Sequence, residues 1–154
     1  CDGASSNDSQ DLLEAIKIGS ILHNITEPDY QHWITPLQAV EMASLGGAKG
    51  LNVENLLGSI TVGKQADLVL YDLNNLSLLP CTDPIGLLVL GRPVNVVHSA
   101  WVNGKQIINN GKFTTINVDE LQQELLNRSH WETPSQSTNV VKLAPHYRQV
   151  MGLD

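Results

Sequence analysis

The sequence predicts an α/β fold, and three observations carry that reading. Apolar residues recur at helical spacing over residues 8–25, with Leu12, Ala15, Ile16, Gly19 and Leu22 on one face and Ile18, Ile21 and Ile25 widening it. A nearly continuous apolar run, Leu68-Val69-Leu70-Tyr71 behind Asp67, reads as a strand covered on both faces. Between residues 94 and 108, two β-rich runs meet at Asn103-Gly104, a pair that tolerates the positive φ angles of a tight hairpin turn.

The elements follow in order. Asp8 and Asp11 supply capping chemistry and suit the dipole at the start of the first helix. Residues 26–34 are a polar and aromatic connection. Thr35-Pro36-Leu37-Gln38 is a capping box with proline in the first turn, so a second helix starts there and runs to Gly46-Gly47, with a short further turn ending near Gly50. From residue 56 the period changes to that of strands. Residues 76–93 hold Pro80, Pro84, Gly86, Gly91 and Pro93 and read as loop. Asn110-Gly111 marks a turn after the hairpin. Asn117 caps a last helix with Val118, Leu121 and Leu125 on one face; from Ser129 the chain reads as polar and irregular, with Trp131, Pro134, Pro145 and Tyr147 as anchors.

The totals exclude several classes. The 154 residues are 42% hydrophobic, enough for one ordinary domain. A net charge of −7 with scattered Lys and Arg makes the chain a poor binder of nucleic acid or an anionic membrane. No apolar stretch approaches the ~20 residues that span a bilayer. Cys1 and Cys81 form no CxxC pair, which makes a reducing, cytoplasmic setting the default expectation.

Short motifs carry little. Gly58-Ser59-Ile60-Thr61-Val62-Gly63-Lys64 fits seven positions of a phosphate-binding loop, but Gln65 replaces the hydroxyl residue and strand-like sequence follows where a helix is needed. The histidines His23, His32, His98, His130 and His146 form no HxH or HExxH pair and are expected to be structural. Asp2 is the informative residue. A carboxylate followed by glycine, small polar residues and a helix is expected at the C-terminal end of a strand in a βα unit, where α/β enzymes place catalytic groups. A turn aspartate or helix cap fits the same spacing.

Longer stretches carry more. Asp2-Gly3-Ala4-Ser5-Ser6-Asn7-Asp8 before a helix resembles the last barrel strand of the amidohydrolase superfamily, in its cytosine-deaminase-like and chlorohydrolase branch. TPLQAVEMASLGGAKGL, then GSITVGKQADLVLYDL, then VVHSAWVNGKQIINNGK are similar to the closing segments of that branch in order and spacing. The resemblance covers residues 1–113, and its GSI-VGK-ADLV stretch is the most specific part.

What the resemblance implies is specific. The fold would be the last βα segment of a metal-dependent (β/α)₈ barrel plus the C-terminal strands of a small β-sandwich. Residues 1–55 would be barrel helices, 56–113 the composite sandwich, and 114–154 a C-terminal helix and tail. The complete enzyme would hold one divalent metal, zinc or iron, and hydrolyse a C–N or related bond of a small heterocyclic amine. Asp2 matches the family's metal-binding aspartate, which also takes a proton from the attacking water and passes it to the leaving amine; Ser6 and Asn7 are candidate substrate contacts. A (β/α)₈ barrel needs ~250 residues, so the remaining ligands are expected upstream, in the same enzyme. The 154 residues alone are expected to bind no metal, to be inactive and to associate as a homo-oligomer. The rival readings are a non-catalytic interaction or dimerisation module and a stand-alone small α+β domain.

Overall fold

Asp11 shows how the first helix begins. Its backbone is extended, its carboxylate accepts a hydrogen bond from Leu13 N at 2.9 Å, and its own N–H donates to Ser9 Oγ at 3.1 Å. A carboxylate there satisfies a donor that the helix cannot, and it complements the dipole. The computed structural model describes residues 6, 9–128 and 138–153. They belong to two units, Cys1–Ile116 and Asn117–Asp154.

In the first unit, α1 (Leu12–Ile21) tightens into a 3₁₀ turn, Leu22–Ile25, so the predicted 8–25 helix is shorter and changes pitch. Asp8 lies outside the described residues. The Thr35 capping box forms in full: Gln38 N donates to Thr35 Oγ1 at 3.3 Å and Thr35 N donates to Gln38 Oε1 at 2.9 Å. Pro36 sits in the first turn of α2 (Pro36–Glu41). The helix continues through a π turn, Met42–Gly46, into α3 (Gly47–Gly50).

The strand-like sequence after residue 56 folds as turns, with Gly58 at φ +86° and Gly63 at φ +95°. β1 (Leu68–Tyr71) follows. A helix, α4 (Pro84–Leu90), then occupies ground that reads as loop. Asp83 caps it by accepting from Gly86 N at 3.0 Å, and Pro84 takes the first turn. Pro and Gly density hides this start, although Asp-Pro is the same device as Thr35-Pro36.

β2 (Val97–Val102), β3 (Lys105–Asn109) and β4 (Lys112–Phe113) complete an antiparallel sheet in the order β1-β2-β3-β4. Leu68 faces Trp101 and Ala100 faces Ile108. Asn103 and Gly104 have φ of 49° and 76°, so the hairpin turn is as expected, and Asn110-Gly111 repeats it at 47° and 72°. Contrary to expectation, β1 is not covered on both faces: it is an edge strand, and Val69 and Leu70 are each about half exposed. The buried core is small, with Leu78 and Val89 fully enclosed beside Ala39, Ala48, Val96 and Ala100. α1, α2 and α4 pack on one another around it.

In the second unit, Asn117 Oδ1 accepts from Glu120 N at 3.3 Å as α5 (Val118–Arg128) begins. α6 (Thr138–Val150) replaces the predicted irregular tail and holds Pro145 inside it. Trp131 and Pro134 lie outside the described residues.

Candidate functional site

The sequence places the chemistry just ahead of α1. Asp2 and Asn7 lie outside the described residues. Ser6 is described and stands in an exposed turn. What the structure adds is how this segment's helix is held. Arg92, from the loop behind α4, lies 3.5 Å from Asp11 and 3.6 Å from Glu14 in the first turn of α1. Its backbone is left-handed, at φ +48°. Both contacts are partly exposed and contribute about 0–1 kcal/mol each. Their effect is to fix the entry of α1 against the α4 corner. Burial raises the Tyr71 hydroxyl above its ordinary range, and the negative charge of Asp11 adds to the rise. Arg92 carries no sequence signal beyond its place in a Gly-Arg-Pro loop.

Gly58, Lys64 and Asp67 of the signature stretch make their contacts within the chain itself. A side chain on Gly58 would put its Cβ 2.8 Å from Ala48 Cβ and 2.9 Å from Leu45 Cα, so only glycine lets the loop lie against the α2–α3 helix. Lys64 Nζ donates to the carbonyls of Glu54 and Leu57. That lysine closes a loop of protein backbone, and no helix follows it, so the phosphate-loop geometry is not formed. Asp67 Oδ1 accepts from Asn103 N at 2.6 Å, and Gly104 N donates to Ala66 O at 3.0 Å, which ties the signature to the hairpin turn.

His98 Nδ1 lies 2.9 Å from the buried Ser99 Oγ, which also accepts from Gln106 Nε2 at 3.4 Å. His32 pairs with Glu27 at 3.6 Å on the surface. His98 and His32 each have a side-chain partner within the chain, and His130 lies outside the described residues. Among the described residues no three His, Cys, Asp or Glu side chains gather at one point. Zinc sites use three or four ligands, so the described part does not by itself form a metal's ligand set. A cleft of ≈ 250 Å³ between α1 and α2 is lined by Leu12, Ile16, Ile34, Ala39, Met42 and Ala43 and is apolar. It has no convergent polar groups to orient a reacting molecule.

Residues 1–107 match the Amidohydrolase family. The chain belongs to that family. Its amidohydrolase relatives include a 5-methylthioadenosine/S-adenosylhomocysteine deaminase from Teredinibacter turnerae, 33% identical over 120 residues, which are 78% of this chain and 27% of the relative. A 5'-deoxyadenosine deaminase from Methanobrevibacter smithii is 33% identical over 133 residues, covering 80% of this chain and 28% of that protein. Among solved structures, a zinc-bound adenosine deaminase from Xanthomonas campestris superposes with a TM-score of 0.74 at 28% identity, covering 82% of this chain and 28% of that one. A zinc-complexed atrazine chlorohydrolase from Arthrobacter aurescens has the same fold, at TM-score 0.71 and 21% identity, covering 81% and 28%. The chain thus spans under a third of the length of the relatives it matches. The amidohydrolase match extends through the signature loop, β1 and β2, and ends inside β3. No described helix is long and apolar enough to cross a membrane.

Proposed function

We propose that this chain forms the closing part of a metal-dependent amidohydrolase that removes an amine from a nitrogen heterocycle, with an adenosine-type nucleoside as the substrate class. The observation that carries the reading is the family match over residues 1–107, together with relatives at 33% identity that are deaminases of adenosine derivatives. In this reading residues 1–55 complete the barrel with its last βα segment, residues 56–113 are sandwich scaffold, and residues 114–154 follow as a helical tail. The structure supports a scaffold role for the middle segment, because Gly58, Lys64 and Asp67 all spend their chemistry on the chain's own backbone.

Asp2 would be a ligand of one divalent metal, zinc or iron, with the other ligands supplied by the upstream part of the same enzyme. The metal, when bound, lowers the pKa of water toward neutrality. The Asp2 carboxylate accepts a proton from the water that attacks the ring carbon. It returns that proton to the amine as the C–N bond breaks, so water and the amino heterocycle become the ring carbonyl and ammonia. Ser6, four residues on in sequence and exposed, would contact the substrate, with Asn7 beside it in sequence.

The test is turnover by the complete polypeptide, read as ammonia release from a panel of aminopurine nucleosides and cytosine and as chloride release from chlorinated triazines. Turnover of the purine members first is the expected result. Turnover confined to the triazines would move the substrate class, and none on any member would overturn the reading.

A further inference from the structure

The chain carries the tripeptide Asn-Gly-Lys twice, at Asn103-Gly104-Lys105 and at Asn110-Gly111-Lys112. Both asparagines and both glycines are exposed and stand in tight turns, with φ of 49° and 76° at the first pair and 47° and 72° at the second. Asparagine before glycine is prone to a reaction within the chain, because no side chain on the glycine shields its backbone nitrogen. That nitrogen loses its proton and attacks the carbonyl carbon of the asparagine side chain. A C–N bond forms, the side-chain nitrogen leaves as ammonia, and a cyclic imide remains. Water then opens the imide at either carbonyl, to aspartate or to isoaspartate, in which the main chain runs through the side-chain carbon. The net change is water in, ammonia out and one negative charge gained. The tripeptide and its backbone are the same at both sites; their surroundings differ.

The first turn joins the two inner strands of the sheet, β2 and β3. Gly104 N, the attacking atom, donates to Ala66 O at 3.0 Å, and Asn103 N donates to Asp67 Oδ1 at 2.6 Å. Attack requires this turn to leave Ala66, and the charge-assisted bond to Asp67 holds it there. The Asp67 carboxylate also opposes both the loss of the Gly104 proton and the new carboxylate of the product, since like charges repel. The second turn joins β3 to β4, a two-residue strand at the sheet's edge. Gly111 N donates to His98 O at 3.0 Å, so this turn too must open. It is held by two residue pairs and by the Thr114 bonds to Ile107 O and Gln106 O, and among the described residues no carboxylate is hydrogen-bonded to it. A short pairing at an edge opens at lower cost than one between inner strands.

We propose that Asn110 is a site of spontaneous deamidation and isoaspartate formation, and that Asp67 protects Asn103 from the same reaction. The product at Asn110 bears on the fold. Isoaspartate adds one methylene to the main chain inside the turn that sets the register of β3 on β4, so the pairs Ile108–Phe113 and Asn109–Lys112 are lost.

The test incubates the full chain at mildly alkaline pH and follows each Asn-Gly site by peptide mass spectrometry, with the rate at each site divided by its rate in denaturant. That division removes the effect of the preceding residue, Val102 or Asn109. Asn110 should convert about tenfold faster than Asn103, the factor that one hydrogen bond to a charged group is worth. Asp67→Ala should raise the Asn103 rate by a similar factor and leave Asn110 unchanged, with circular dichroism checking that the sheet persists. Should that variant unfold, Asp67→Asn replaces it; it keeps an oxygen acceptor, removes the charge and should give a smaller rise, at Asn103 alone. Equal rates at the two sites, or a faster Asn103, would overturn the inference. So would an Asn103 rate indifferent to Asp67 in whichever variant stays folded.

Discussion

Gly58 and Gly63 flank the signature loop with nearly the same backbone and different surroundings. Both have φ near +90°, but a Cβ on Gly63 would meet nothing within 4 Å, whereas on Gly58 it would strike Ala48 and Leu45. Gly63→Ala should therefore cost about 1 kcal/mol, from the left-handed backbone alone. Gly58→Ala should cost about 1–3 kcal/mol more, because a methyl must be forced between two backbones. Urea unfolding of the two variants separates them; equal losses would mean that the close approach at Gly58 is not what selects glycine. Tyr71 gives a second residue-scale prediction. Its hydroxyl titrates above the ordinary 10.0 because it is half-buried, with Asp11 adding to the rise. A group whose pKa is raised on folding favours the folded state below its unfolded pKa and loses that contribution as pH climbs through the folded value. Stability should therefore fall as pH rises past 10. Tyr71→Phe should flatten that fall, and the difference between ultraviolet titrations of wild type and variant should show a phenol titrating above the ordinary range.

At the scale of elements, the Thr35 box is the clearest case of a start signal that the structure repeats bond for bond. Thr35→Ala should cost about 1 kcal/mol, readable as a fall in melting temperature. What made elements legible was local chemistry: a cap with proline behind it, an Asn-Gly turn, an aspartate ahead of an apolar stripe. Those signals act within four residues and need no partner. What stayed hidden depended on context. α4 was masked by the prolines and glycines around it, although Asp83-Pro84 caps it as Thr35-Pro36 caps α2. The β-branched run after residue 56 formed turns because Gly58 and Gly63 take positive φ and Lys64 pulls two carbonyls inward. α6 was obscured by Pro145, which lies inside the helix where a proline is ordinarily a stop. The candidate site was legible only by resemblance: Asp2 has no local signal that separates a ligand from a cap.

On the scale of the whole molecule, few apolar side chains are fully buried and many are exposed among the described residues of this amidohydrolase chain. The edge strand β1 presents Val69 and Leu70, α1 presents Ile18 and Ile21, and the 3₁₀ turn after it presents Leu22. Surfaces of that kind are covered in stable proteins. Relatives more than three times as long as the matched region supply the reason we propose for the cover: the rest of the enzyme. We propose that Asp2 carries the metal and the proton in that enzyme, and one measurement addresses this directly. In the complete polypeptide, Asp2→Asn should be compared with wild type for bound zinc or iron by elemental analysis and for turnover in the same preparation, with the melting profile as a check on folding. The expected result is an intact fold, weakened metal binding and turnover reduced by at least a thousandfold. Unchanged turnover, with only the ~1 kcal/mol stability loss of a missing helix cap, would contradict it.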